Sequence, residues 1–144
     1  MTRHPLPIAL LVALAALAPA ADGHGHDHGH DHGHDHGSAT AVGAIALAGA
    51  TVAVAVAGTV KPGAEVHVEL ALTPAQPAPK AVRIWIGSES GRGSARARAG
   101  ALKRTPGAYA AHVEVPSPLP ADSRIWVSVE PASGEAVKGS VALP

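Results

Sequence analysis

Past Val60 the chain alternates between apolar and polar residues in steps of two. Residues 64–72, AEVHVELAL, put Val66, Val68, Leu70 and Leu72 on one parity and Glu65, His67 and Glu69 on the other. That is the pattern of a strand with one buried and one wet face. The proline-rich stretch TPAQPAPK follows and ends it. The same reasoning predicts strands at 81–87 (AVRIWIG), 94–99 (SARARA), 108–115 (AYAAHVEV), 123–130 (SRIWVSVE) and 135–143 (EAVKGSVAL). Before Val60, Val52, Val54 and Val56 alternate with small residues and add a strand at 51–57. No stretch carries a helical period with caps, so the pattern predicts an all-β chain.

About seven strands in about one hundred residues is the count of an immunoglobulin-like sandwich, here assigned to residues 51–144. The chain has no cysteine, so the inter-sheet disulfide of antibody domains is excluded. Two short runs echo each other: Arg83-Ile84-Trp85-Ile86 precedes Arg92-Gly93-Ser94, and Arg124-Ile125-Trp126-Val127 precedes Lys138-Gly139-Ser140. Either related hairpins sit in the two sheets, or a narrow alphabet has produced a chance likeness.

Ahead of the strands the pattern changes. Residues 1–20, MTRHPLPIALLVALAALAPA, place Arg3 before an uncharged run from Leu6 to Leu17 and then Ala18-Pro19-Ala20. Basic, apolar and small residues in that order predict a secretory leader cleaved after Ala20, and hence a periplasmic or secreted protein. The apolar run is shorter than the ~20 residues of a membrane-spanning helix. No cysteine follows it to carry a lipid anchor, so no membrane association is expected once the leader is removed. Residues 38–60 are also uncharged and long enough to span, but alanine, glycine and threonine contribute little to insertion. The valine alternation in their second half favours a linker followed by a strand. Residues 21–50 then read as a disordered tail and linker.

Composition narrows the chemistry. Eleven basic and eleven acidic residues balance to zero net charge with histidine neutral, which offers nothing to nucleic acid or an anionic surface. Without cysteine, and with the initiator as its single methionine, the chain lacks ligands for copper(I) or iron–sulfur clusters. It has no phenylalanine, so small aliphatic side chains must fill the core.

The tail has one conspicuous feature. Gly23-His24 is followed by three tandem copies of Gly-His-Asp-His, at 25–28, 29–32 and 33–36. In extended chain, residues two apart point the same way, so His26 with His28, His30 with His32 and His34 with His36 can each close on one ion. Two pairs supply four imidazoles, and His24 adds another donor. Gly25, Gly29 and Gly33 let the chain fold back between pairs. Asp27, Asp31 and Asp35 can bind directly or accept a hydrogen bond from a ligating ring. Imidazole and carboxylate without sulfur suit zinc first, then nickel, cobalt or copper(II). Ordering a flexible tract costs entropy, so moderate affinity is expected, fit for buffering or handover. Binding needs neutral imidazole, so mild acid should release the metal. The competing reading is a hydrophilic spacer, for which serine or lysine would serve equally well.

HGHDHGHDHGHDHG resembles the histidine-, aspartate- and glycine-rich tracts of zinc transporters, periplasmic zinc-binding proteins and nickel or zinc metallochaperones. The resemblance implies that His24 to His36 collect or relay a divalent ion, with a metal transporter or another envelope protein as partner. The remainder resembles small exported immunoglobulin-like modules of the YtkA-like or FixH-like kind, in which a Gly-x-Tyr strand start similar to Gly107-Ala108-Tyr109 recurs.

The domain has candidates of its own. His67 and His112 fall on the polar parity of their strands, with Glu65 or Glu69 beside the first and Glu114 beside the second. If the two strands pair, the histidines form an ordered site that receives metal from the tail; otherwise they are solvated surface residues. Trp85 and Trp126 sit on the outer parity next to Arg83 and Arg124, either as a partner-binding patch or as tryptophan stacked under arginine with one ring partly buried. The basic run from Arg92 to Arg104 reads as a solvated edge strand and loop. Ser88-Glu89-Ser90 and Asp122-Ser123 read as turn residues, and no nucleophile elbow, zincin helix or phosphate loop is present, so no enzyme is predicted. The sequence thus predicts an exported, non-catalytic protein that handles divalent metal. The alternative is a cell-envelope interaction or structural module whose sandwich binds a membrane partner.

Overall fold

A computed structural model of the chain describes residues 37–47 and 49–144; the predicted leader (1–20), its cleavage point and the histidine tract (24–36) lie outside them. The described residues contain nine strands and no helix: β1 (Thr40–Leu47), β2 (Ala50–Ala57), β3 (Glu65–Thr73), β4 (Ala81–Gly87), β5 (Ala97–Arg98), β6 (Gly100–Ala101), β7 (Ala108–Glu114), β8 (Arg124–Glu130) and β9 (Val137–Ala142). They form two antiparallel sheets, in the orders β1-β2-β3-β7-β6 and β5-β4-β8-β9.

The apolar parity of each long strand faces one shared core. Val54, Val68 and Val113 from the first sheet meet Ile84, Ile86 and Ile125 from the second in a single buried cluster. The opposite parity of β3 carries its exposed glutamates, as the alternation predicts.

β1 is a departure. The sequence reading ends the linker at residue 50, but the chain is paired from Thr40, with β1 running antiparallel to β2 from Thr40↔Val56 to Leu47↔Ala50. A bulge between Ala41 and Gly43 inserts one extra residue. Val42, Ile45 and Leu47 therefore all pack on the core although they do not share one parity in the sequence. The uncharged segment 38–60 is thus spent on a pair of strands, and no helix among the described residues is long and apolar enough to cross a membrane.

β1 also reaches the other sheet. Gly139 of β9 lies under Ile45, and a Cβ there would come within 2.4 Å of Ile45 Cγ2 and 3.1 Å of Leu47 Cδ2. Ile45 is buried and stiff at χ1, so it cannot swing aside. Gly139→Ala is therefore expected to cost ~1–3 kcal/mol by overpacking. Gly100→Ala, with open space at its Cβ, is the control expected to cost much less. Urea unfolding of the two variants reads the difference, and equal stability would mean that β1 does not pack on β9.

The predicted strand at 94–99 is corrected as well. Ala97–Arg98 pairs with β4 (Ile84↔Ala97), whereas Gly100–Ala101 pairs with β7 (Ala101↔Tyr109). The chain crosses between sheets at Ala99, which is buried and donates its N–H to Val82 O at 2.9 Å. Alternation in RARA cannot reveal that crossing. Both short strands lie at sheet edges, where a basic segment discourages further pairing. The echoing runs are not hairpins in separate sheets: β4 and β8 are neighbours in one sheet, with Trp85 opposite Trp126.

Gly107, the turn residue before β7, has φ +80° and packs against the end of β3, where a Cβ would approach Leu72 O to 2.7 Å. Its own carbonyl accepts the Leu72 N–H at 2.8 Å. Close backbone approach and positive φ together explain glycine before the buried Tyr109.

Candidate functional site

The tract residues His24, His26, His28, His30, His32, His34 and His36, with Asp27, Asp31 and Asp35, lie outside the described residues. The domain histidines do not. β3 and β7 pair with Val66↔Val113 and Val68↔Ala111, which sets His67 directly opposite His112 on the outer face. Their ring centroids are 5.0 Å apart and the planes are inclined by 62°. In the same register Glu65 stands opposite Glu114 and Glu69 opposite Ala110, while Ala57 of β2 stands opposite His67. The imidazoles therefore rise between carboxylates above small neighbours.

Each ring has a carboxylate close by. His112 Nδ1 is 3.0 Å from Glu65 Oε1. An ionised carboxylate only accepts, so Nδ1 is the donor in this contact. The partner is thus Glu65, reached across the strands, and not the Glu114 beside it in sequence. His67 Nε2 lies 3.6 Å from Glu69 Oε1, beyond hydrogen-bond length. Among the described residues no three His, Asp or Glu side chains already converge to hold a metal ion.

The outer face of the second sheet is built around the tryptophans. Trp85 and Trp126 stack with centroids 6.1 Å apart and planes 12° from parallel. Trp85 Nε1 donates to Ser88 O at 2.9 Å, and Trp126 Nε1 to Gly87 O at 3.1 Å. The Arg96 guanidinium lies 4.9 Å above the Trp85 ring, and Lys138 Nζ lies 6.0 Å from that of Trp126. Lys138 is held by Glu89 at 3.1 Å and Arg83 by Glu130 at 3.4 Å. Trp85 is left only 2% exposed, whereas Trp126 is half-buried. This is arginine stacked on tryptophan, but the arginine is Arg96 from the loop before β5, not the sequence neighbour Arg83.

Ser88 Oγ and Ser90 Oγ contact each other at 3.1 Å, and Ser123 N donates to Pro120 O at 3.1 Å. These serines are engaged in turns. At one end of the sheets a hollow of about 370 Å³ is lined mainly by apolar residues and prolines, among them Leu72, Pro74, Pro77 and Val129. Comparison with protein-family models, curated proteins and solved structures finds no match to this chain.

Proposed function

We propose that the protein is exported and binds divalent metal, zinc before nickel, cobalt or copper(II), as a periplasmic buffer or metallochaperone. The observation that carries this reading is the threefold Gly-His-Asp-His repeat, whose spacing makes each unit a two-imidazole chelator with an adjacent carboxylate. The folded part is the support for that tract. We read it as an immunoglobulin-like sandwich, because the order β2-β3-β7-β6 against β4-β8-β9 follows the arrangement of the two sheets in that fold. The carboxylate-flanked histidine pair on its outer face extends the same ligand chemistry to the domain.

The test is a calorimetric zinc titration of the full chain and of a form lacking residues 23–37. Micromolar binding by the full chain, with most of its stoichiometry lost in the shortened form, is expected. Equal binding by both forms, or no micromolar binding by either, would overturn the role of the tract.

A further inference from the structure

We propose that His67 and His112 form a second divalent-metal site, built into the folded sheet and taking zinc through two cross-strand imidazoles. Backbone pairing presents them: the β3–β7 register sets the two residues directly opposite, so their Cβ atoms are held within reach of a single ion. Glu65 supplies the second element. By accepting from His112 Nδ1 it orients the ring, the carboxylate–histidine arrangement that supports zinc ligands.

Glu69 supplies the third. Its oxygen stands 3.6 Å from His67 Nε2, too far for a hydrogen bond but close to the ~3.3 Å that separates two donors on a tetrahedral zinc with bonds of about 2.0 Å. Glu65 and Glu114 face each other directly across the strands, an opposition of like charges that a cation beside them relieves. Closing the site needs the His112 and Glu65 side chains, 46% and 63% exposed, to turn together, which keeps the hydrogen bond at Nδ1. Water completes the coordination. The site stands on the register of two strands and is independent of whether the tract holds metal.

The test uses the full chain with all seven tract histidines replaced by asparagine, titrated with zinc alone. Imidazole nitrogen resonances of His67 and His112 are expected to shift together and saturate. Zinc at about a hundred times its Kd is expected to raise Tm by roughly 10–12 °C, because the ion ties β3 to β7 in the folded state only. His67→Gln or His112→Gln removes the rise, and Glu65→Gln weakens zinc binding by about tenfold while both imidazoles still respond. Zinc that leaves the two imidazole signals unmoved would overturn the site, as would a Tm rise that survives both histidine substitutions. Neither result bears on the tract, whose titration is separate.

Discussion

If the tract binds zinc as proposed, the zinc affinity of the full chain is expected to fall steeply between about pH 7.5 and about pH 5.5, with a steepness that counts the imidazoles on each ion. Zinc binds the neutral ring, so a proton competes with it below the ordinary histidine pKa of ~6.5. Over that interval each coordinating imidazole of ordinary pKa weakens apparent binding by about tenfold, so two rings give roughly a hundredfold loss and four give about 10⁴. The aspartates between them stay ionised throughout, since carboxylates titrate near pH 4. Competition against a chelating dye at several pH values measures the slope. Carrying it out in the His67→Gln/His112→Gln background assigns the slope to His24 to His36. A pH-independent affinity would place the ion on carboxylates alone and remove the histidines from the mechanism.

Trp85→Ala destabilises the domain by ~3–5 kcal/mol, the cost of emptying a core aromatic position, although its parity in the sequence is that of an outer face. The ring is covered on one side by Arg96 and flanked by Trp126, and its N–H donates to Ser88 O, so truncation removes packing and that hydrogen bond, while Ser88 O keeps the Gly91 N–H at 3.0 Å. Trp126→Ala, at a half-buried position, is expected to cost less, about 1–2 kcal/mol. Urea unfolding followed by the fluorescence of the remaining tryptophan reads both variants, since the chain has two tryptophans and one tyrosine. Equal losses for the two would mean that the Arg96 cover contributes nothing.

The pairing of two histidines across β3 and β7 shows where local pattern stops being informative. Parity alone places His67 on the same face as Glu65 and Glu69, and His112 on the same face as Glu114. Which residue of β7 stands opposite which residue of β3 depends on register. That is set by turns at both ends: Gly107 docked on Leu72 at one, and at the other the Ala64 and Val115 backbones, with Val115 N donating to Ala64 O at 2.8 Å. The carboxylate that reaches His112 comes from 47 residues away. No spacing rule applied to residues 108–115 would have named it.

Alternation by itself was sufficient for the all-β character, for β2, β3, β4, β7, β8 and β9 and for the valine, leucine and isoleucine positions with which they fill the core, because side-chain direction in a strand is a local property. The chelation proposed for the Gly-His-Asp-His repeats is likewise a local reading, since it depends on donors two residues apart. β1, the crossing at Ala99, the neighbouring tryptophan strands and the cover over Trp85 were decided by tertiary structure. A bulge erased the parity of β1, and Arg96 and Lys138 reach their rings from other parts of the chain. Contacts of that kind follow from how strands are ordered and registered in two sheets, and those are long-range quantities that no short window of residues carries.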